Sequence, residues 1–372
     1  MRTGTSIRIL VCVLVSLVAT PAVALEFAVV GPRAAGMGGA GVAVTSDAYA
    51  TYWNPAGLAM TQTVDIRFQA SAQAVNRGEY WQTLKDIEGF DPNASNASAQ
   101  AQSLINSINS GGSLSAVATG GLYFKGHIGE HAFGFNVSNV ANAGSFVSQQ
   151  FSQPTPNSIS GQLALRGLEQ RQVNFSYAYA FADKAFSIGV TGRVIQGAAY
   201  TGTATVTGGQ DVTLSDNFGK AKITTAFGID VGAIYRPSSW LRLGVVAKDL
   251  NQPEFDAPDG SKLKLNPQVR GGVALNPWST ATMTADMDIT SNQTLVPGIK
   301  SQVLSLGMEQ TVLSEFLSFR VGTYKNVQDA KSIFTPTAGI GIRIYSFRLD
   351  LAGGYDFNEG GAIASGALSL TF

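Results

Sequence analysis

The sequence is apolar on average but has no apolar run of helix length beyond its N-terminal leader, and this combination restricts its possible folds most strongly. Its mean hydropathy is +0.11 and its charged residues make up 13%, about half the share of a typical soluble protein. In lipid, only α-helices and closed β-barrels satisfy every backbone hydrogen bond, and a spanning helix needs roughly 20 consecutive apolar residues. The chain therefore predicts a closed β-barrel.

Apolar and polar residues alternate along most of the chain, as in strands with one face in lipid and the other in a polar lumen. We predict a single transmembrane β-barrel of fourteen antiparallel strands. Long connections, the longest being 77–114 and 141–170, follow odd-numbered strands, and tight turns follow even-numbered ones, as in bacterial outer-membrane barrels. The predicted strands are 64–76, 115–125, 130–140, 171–182, 184–198, 220–236, 239–250, 266–275, 279–290, 301–312, 315–325, 336–345, 347–357 and 362–372.

The first 24 residues have the layout of a cleaved secretory signal. Arg2 and Arg8 precede an apolar run at 9–18, and Ala22 and Ala24 form a small-x-small cleavage site; the run is too short to span a bilayer. We expect cleavage after Ala24 and export to the outer membrane of a Gram-negative bacterium. Because Cys12 is the only cysteine, the mature chain is expected to have no disulfide, thiol-zinc site or redox motif.

The segment 25–63 does not alternate and is rich in glycine and alanine. A fourteen-stranded barrel encloses more space than its interior side chains fill, so we expect this segment to form a lumenal plug, or hatch, ahead of a barrel at 64–372. Its glycines at Gly36, Gly38, Gly39 and Gly41 match the spacing of a dinucleotide-binding loop. That interpretation requires a βαβ unit and an acidic residue about 20 positions later, whereas position 61 is Thr; tight plug packing explains the glycines better.

Two groups of motifs resemble a known superfamily. The run Gly36 to Ala40, the pair Asp47-Ala48 and the motif Asn54-Pro55-Ala56-Gly57 resemble the N-terminus shared by FadL-type transporters of hydrophobic compounds and PorV-like barrels. The segments 297–310, 316–326 and 347–356 resemble the plasmid-transfer TraF-like barrels of that superfamily. The resemblance implies fourteen strands, a lumenal hatch that includes Asn54, Pro55, Ala56 and Gly57, and hydrophobic ligands bound inside the barrel.

Charged residues on the predicted inward faces concentrate in the last strands, where mixed signs favour pairing across the wall over a polar constriction that selects solutes. They are Asp286, Asp288, Glu309, Arg320, Arg343, Arg348 and Asp350. We expect no catalytic residue, cofactor or metal, because the two histidines, His127 and His131, flank a turn instead of facing an acid–base partner. Lys plus Arg equals Asp plus Glu, at 25 each, which gives no indication of a nucleic-acid partner.

Two further segments suggest partners. Gly366, Leu368, Leu370 and Phe372 belong to a terminal alternating strand that ends in an aromatic residue and resembles the assembly signal read by the outer-membrane insertion machinery. The stretch 94–110 predicts a loop helix with a small apolar face at Leu104, Ile105 and Ile108. This face either rests on its own barrel or meets a partner, and we favour the barrel.

These features predict a passive, hatch-gated outer-membrane channel for hydrophobic or amphipathic small molecules, in contact with outer-membrane lipid and without enzyme activity. One alternative is a scaffold that holds proteins of a secretion or conjugative-transfer system at the outer membrane. A second alternative is a general polar porin.

Overall fold

The computed structural model describes residues 24–212, 219–358 and 360–372. The predicted signal peptide lies outside these residues except for Ala24, the last residue before the expected cleavage site. Among the described residues, no helix combines the length and apolarity needed to cross a membrane.

Fourteen antiparallel strands form one closed barrel, in which each strand pairs with its neighbours along the chain and the last strand pairs with the first. The predicted fold class is confirmed. The strands are β1 (Asp65–Arg77), β2 (Ser113–Ile128), β3 (His131–Ser152), β4 (Ser160–Phe181), β5 (Phe186–Thr207), β6 (Lys222–Ser238), β7 (Leu241–Lys248), β8 (Gln268–Leu275), β9 (Ala281–Asp288), β10 (Val303–Val312), β11 (Leu317–Asn326), β12 (Thr335–Ile344), β13 (Phe347–Tyr355) and β14 (Ala362–Thr371).

The connections differ at the two ends of the barrel. Long ones follow β1, β5, β7 and β9, whereas the turns after β2, β4 and β12 contain only a few residues. Following the usual asymmetry of bacterial barrels, we call the long-loop end extracellular and the short-turn end periplasmic.

The predicted long loop at 141–170 is wrong, because β3 and β4 extend through most of it and leave only a short connection at 153–159. Beyond Val137 and Val173 the outward positions turn polar. Asn139 donates to Glu169 at 2.8 Å, and Arg171 donates to the same carboxylate at 3.0 Å. The apolar stripe therefore stops here while backbone pairing continues. Alternation marks only the part of a strand in contact with lipid, so it could not reveal the extension.

The outer surface carries a continuous apolar band. At one height, six bulky residues follow one another across six adjacent strands: Leu349, Leu368, Phe68, Leu122, Val137 and Val173. Nearer the periplasmic turns, Phe181 stacks on Phe186 at 5.5 Å between ring centroids, and Phe186 stacks on Tyr235 at 4.5 Å. Exposed aromatic side chains at this level match the interfacial girdle of a membrane barrel.

The N-terminal segment lies inside the barrel. It contains a short strand (Ala24–Leu25), helices α1 (Pro32–Gly36) and α2 (Ala50–Trp53), and a 3₁₀ helix (Pro55–Met60). Helix α1 contacts β11 to β14 and the 3₁₀ helix contacts β3 to β6, so the segment touches opposite sides of the wall. Its side chains are almost completely buried, Trp53 being 1% exposed.

Two helices in the extracellular connection after β1 cover the extended strands. They are α3 (Tyr80–Glu88) and α4 (Ala97–Asn109). Ile105 and Ile108 of α4 are buried in a cluster with Phe151 of β3 and Leu163 of β4, and Tyr80 bonds Ser145 of β3 at 2.8 Å between hydroxyl oxygens. The predicted helix therefore rests its apolar face on its own barrel.

The other extracellular connections also fold back on the barrel. A hairpin of Glu254–Asp256 and Lys262–Lys264 follows β7. Its Phe255 is fully buried against Gly197 of β5. The short strand Ala24–Leu25 pairs in parallel with Asn292–Gln293, which in turn pairs with Lys300–Ser301. The N-terminal segment is thus tied to an extracellular loop as well as to the wall.

Candidate functional site: the interface between plug and wall

Glycines on both surfaces allow the plug to lie against the wall. Gly307 of β10 and Gly322 of β11 are register partners on the inward face, and an added Cβ at either would collide with the backbone of Met37. Gly38 adopts φ +70°, a conformation that favours glycine, and its Cα faces the carbonyl of Thr323. This close approach explains the glycine-rich sequence better than nucleotide binding does.

The other plug glycines also lie at crowded contacts. Gly36 faces Gly339 of β12, Gly39 lies beside Ser305 of β10, and Gly41 lies against the ring of Trp53 within the plug. Gly57 faces the carbonyl of Thr45 at a distance too short for a side chain. The four residues predicted from the glycine-rich run thus lie at packed plug surfaces.

The Asn54-Pro55-Ala56-Gly57 motif forms the start of the 3₁₀ helix. The Asn54 side chain accepts a hydrogen bond from Ala56 N at 3.2 Å and caps this helix. Its Nδ2 also donates to the carbonyls of Val42 in the plug at 3.1 Å and Ala233 in β6 at 3.2 Å. Pro55 occupies the first helical position, where its missing N–H costs nothing. One buried side chain therefore connects two parts of the plug to the wall.

Wall glycines also accommodate this motif. A Cβ added to Gly232 of β6 would collide with Asn54 Oδ1, and one added to Gly189 of β5 would lie 2.5 Å from Ala56 N. Ser187 of β5 donates a 2.7 Å hydrogen bond to the carbonyl of Ala56. The wall is shaped to receive the motif on at least two strands.

Asp286 holds the plug through its backbone. Its Oδ2 accepts hydrogen bonds from Gly41 N and Val42 N, both at 2.7 Å. The carboxylate is 1% exposed, so these two charge-assisted bonds form away from water and gain strength from the low dielectric. Thr337 of β12 makes a similar pair of contacts, accepting from Gly38 N at 3.0 Å and donating to Gly36 O at 3.1 Å.

An alternating chain of charges continues across the wall from the plug. Arg33 of α1 lies 2.7 Å from Glu309 of β10, and Glu309 lies 2.7 Å from Arg320 of β11. Arg320 then pairs with Asp350 of β13 at 2.8 Å, and Asp350 pairs with Arg348 at 2.9 Å. The structure thus brings four of the predicted lumen charges into one network, with Arg33 of the plug as an added member.

Asp288 and Arg343 lie outside this network. Asp288 pairs with Arg270 of β8 at 2.7 Å. Arg343 faces inward by parity, but it is located at the periplasmic mouth, where it pairs with Glu315 in the neighbouring turn at 2.7 Å and stays partly exposed. Parity indicates the face of a side chain and says nothing about its depth in the barrel, which is why Arg343 was grouped with the others.

Several lumen charges were missed in the sequence. Arg193 of β5 is buried between Asp230 and Asp249, and Arg67 of β1 pairs with Asp65 at 2.6 Å and with Asp47 of the plug at 3.2 Å. The same inward-parity rule, applied to β1 through β8, would have found Asp65, Arg67, Arg193 and Asp230. Within the described residues, no group of His, Cys, Asp and Glu side chains is arranged to hold a metal ion.

The plug and the wall also meet through cations and rings. The Lys248 ammonium of β7 lies 3.4 Å from the ring centroid of Tyr52, and the Arg270 guanidinium lies 4.8 Å from that of Phe27. These contacts surround a cavity of only about 30 Å³ beside Glu26 and Gln172. Burial raises the pKa of the Glu26 carboxyl, while the nearby positive charge of Arg77 opposes this shift. At this level the lumen is filled.

A larger depression lies on the outer face of the wall. Its volume is about 760 Å³, and small outward side chains such as Ala70, Ala338 and Ala364 line it. The wall behind it is closed, because Ser71 of β1 and Ser365 of β14 are bonded at 2.6 Å. The depression therefore does not connect to the lumen in this conformation.

The predicted assembly residues lie on the outer face of the closing strand. Leu368 and Phe372 are exposed, Leu370 is half-buried, and Gly366 faces the same side. Phe372 exchanges two backbone hydrogen bonds with Val64, at 3.1 and 2.9 Å. The terminal aromatic residue thus takes part in barrel closure while its ring stays accessible.

Solved structures with the same fold cover nearly the whole chain. The toluene transporter TbuX of Ralstonia pickettii superposes with a TM-score of 0.55 at 15% identity, over 93% of this chain and 98% of TbuX. The monoaromatic hydrocarbon channel CymD gives 0.56 at 12% identity over 94% and 98%. The toluene transporter TodX of P. putida gives 0.55 at 12% identity over 93% and 98%.

In sequence, no curated protein matches the chain. Residues 51–288, more than half of the chain, match the family described as the F plasmid transfer operon TraF protein. The matched region begins in α2 of the plug and ends with β9, so it covers the 3₁₀ helix motif and nine wall strands. Together with the shared barrel fold, this match confirms the resemblance noted in the sequence: the chain belongs to the TraF family of the F plasmid transfer operon.

Proposed function

We propose that this protein is a passive outer-membrane channel for hydrophobic or amphipathic small molecules, in which residues 25–63 are a movable hatch. The observation that carries the proposal is the filled lumen. A segment of the chain itself occupies the barrel and touches opposite walls. It is held by groups that can separate as units, such as the Arg33–Glu309 pair. A segment that only stabilised the barrel would need no ionic contacts, because apolar residues of similar volume fill such space at least as well.

The exterior supports placement in the outer membrane. An apolar band and a ladder of stacked aromatic rings surround the wall, as expected for a barrel in contact with lipid. The leader at 1–24 and the terminal Leu368, Leu370 and Phe372 support export and recognition by the insertion machinery.

The hydrophobic substrate class is supported by fold likeness. TbuX and TodX are toluene transporters and CymD is a monoaromatic hydrocarbon channel. A general porin is less well supported, since a porin keeps a water-filled lumen and the described plug residues are almost completely buried against the wall.

The scaffold alternative is supported by the family. The TraF family takes its description from a plasmid transfer operon, which favours a role beside proteins of conjugation. Such a protein would need a stable surface at the extracellular or periplasmic mouth but no moving hatch. Hatch movement therefore separates the two functions.

A reversible cross-link between hatch and wall tests the proposal. Thr51 of α2 adjoins Gly134 of β3, where an added Cβ would touch the Thr51 methyl group. This proximity suits a disulfide, and the mature chain has no other cysteine. Thr51→Cys with Gly134→Cys is expected to block toluene entry into proteoliposomes when oxidised and to restore it when reduced. Each single variant, oxidised in the same way, is the control.

Equal toluene entry in the oxidised and reduced double variant would contradict a moving hatch. Toluene entry no faster than into protein-free liposomes, combined with co-purification of a conjugation protein, would favour the scaffold. Swelling of proteoliposomes in sugars by the wild type would favour the porin.

A further inference from the structure

A cavity of about 270 Å³ opens at the extracellular mouth, above the plug. It lies where β1 leaves the wall, between the end of α4 and the connections that precede β10 and follow β11. Its lining includes Arg77, Lys300, Lys331 and Asp329, together with Gly111 and Gly298. A Cβ added to either glycine would meet no atom within 4 Å, so the glycines leave open space at the entrance.

Arg77 points into this cavity with unused donors. It is the last residue of β1, faces inward, and is 8% exposed. Its Nε lies 3.4 Å from an Asp329 oxygen, yet neither Nε nor Nη1 has a hydrogen-bond partner. Buried donors of a charged group are normally satisfied, because leaving them unpaired costs free energy. The guanidinium is therefore arranged for an acceptor that is not part of the wall.

The remaining charges of the cavity reinforce that preference. Within the described ranges, neither Lys300 nor Lys331 forms a salt bridge, and both side chains are exposed. Asp329 is the acidic side chain among the lining residues, against three cationic ones. The excess of positive charge attracts anions to the mouth, since a concave site concentrates the field of its charges.

We propose that this cavity binds the carboxylate or phosphate group of an amphipathic molecule as it enters the barrel. The inference rests on the proposed function and deepens it, because it assigns amphipathic anions as a substrate class. Arg77 supplies a planar pair of donors suited to two anionic oxygens. Lys300 and Lys331 add point charges at the rim, and the apolar part of the ligand is left free to follow the plug.

The test compares two probes with the same chain length. Dodecanoate carries the anionic group, and dodecan-1-ol is its neutral counterpart. Binding of each to the detergent-purified full chain is measured by calorimetry below the critical micelle concentration of the detergent. Lys300→Gln with Lys331→Gln should weaken dodecanoate binding about tenfold through the loss of two charged contacts and leave dodecan-1-ol binding unchanged.

The controls address folding and specificity. Lys184→Gln, at the periplasmic turn after β4, removes a charge from the opposite end and should change neither affinity. Arg77→Gln should lower dodecanoate affinity further, and heat-modifiable migration reports whether this variant still folds. Added salt should weaken binding of dodecanoate and not of dodecan-1-ol, because it screens exposed charges.

The outcomes separate this inference from the proposed function. Equal losses for both probes, or no loss for either, would overturn the anion site and leave hydrophobic transport standing. Binding of inorganic phosphate that depends on Lys300 and Lys331, without binding of either twelve-carbon probe, would keep the anion site and contradict transport of amphiphiles. Saturation of the site by lipid A vesicles, with no competition from dodecanoate, would show that a lipid headgroup occupies it and would overturn the solute assignment.

Discussion

Arg33 of the plug and Glu309 of the wall form an ion pair with 2.7 Å between Nη2 and Oε1, although 276 positions separate them in the chain. The pair joins the plug to a charge network that continues to Arg320 and Asp350 on neighbouring strands. Glu309 is the acidic group between two guanidinium groups, so its charge holds the plug at this side of the barrel.

The first prediction concerns that contact. Glu309→Gln keeps the shape of the side chain but leaves Arg33 and Arg320 without their shared carboxylate. Breaking a buried ion pair on one side typically costs about 3–5 kcal/mol, and here much of that cost should fall on the closed position of the plug. We expect frequent openings in planar bilayers, with unchanged heat-modifiable migration.

The matched control for Glu309 is Glu315→Gln. Glu315 pairs with Arg343 at the periplasmic turn, where both side chains are partly exposed, so its loss should cost no more than about 1 kcal/mol. Closed-state conductance of Glu309→Gln identical to that of Glu315→Gln would show that the Arg33 contact does not hold the plug.

A second prediction concerns Asp286, which binds the plug backbone. Asp286→Ala leaves the N–H groups of Gly41 and Val42 buried without an acceptor, at a cost of about 1–3 kcal/mol for each. Hydrogen exchange at these two amides should accelerate strongly, while exchange in β4 and β5 stays slow. Asp259→Ala, in an exposed loop where the carboxylate binds only Ser261, is the control, and equal exchange in the two variants would refute the prediction.

The barrel was predictable from the sequence because alternation and loop asymmetry depend only on the contact of each strand with lipid. The strand extensions beyond Val137 and Val173 were not, since their outward residues are polar and no longer follow that rule. The plug was predictable as a glycine-rich segment. Its contacts were not, because Asp286 and Gly41 are brought together by the closure of the barrel and leave no local signal.

Wall glycines provide a third prediction. Gly232→Ala places a methyl group against Asn54 Oδ1, where no room exists, and such overpacking costs about 1–3 kcal/mol. The strain can be relieved by displacement of the plug, so we expect higher conductance and faster proteolysis of residues 25–63. Gly120→Ala on β2, where the added Cβ would lie 3.6 Å from its nearest neighbour, should behave like the wild type. Faster proteolysis in both variants would indicate general weakening of the barrel.

The helical cover of the extracellular strands provides a fourth prediction. Ile108→Ala removes a buried side chain between α4 and its neighbours, and changes of this type cost about 2–5 kcal/mol. Because the helices lie outside the hydrogen-bonded wall, the loop at 78–112 should become sensitive to protease while the barrel stays intact. Gln102→Ala on the exposed side of α4 is the control. Protease resistance of the loop in Ile108→Ala would show that α4 is held by other contacts.

The last prediction concerns the Asn54-Pro55 motif, where one side chain connects plug and wall. Asn54→Ala removes the cap of the 3₁₀ helix and the donors to Val42 and Ala233. The cost should be on the order of 1–3 kcal/mol, the range for a buried group left unpaired. Pro55→Gly should add to the freedom of the unfolded segment and cost about 1 kcal/mol. Both variants should show larger or noisier conductance with normal assembly.

A graded variant separates the two roles of Asn54. Asn54→Asp keeps the oxygen that caps Ala56 N but cannot donate to the wall, so it places a buried carboxylate beside the Ala233 carbonyl. If attachment to the wall holds the plug, Asn54→Asp should conduct at least as noisily as Asn54→Ala. If the cap alone matters, Asn54→Asp should resemble the wild type. Wild-type conductance in all three variants would mean that the motif is not part of a gate, and failure of all three to reach the membrane would assign the motif to folding of the barrel.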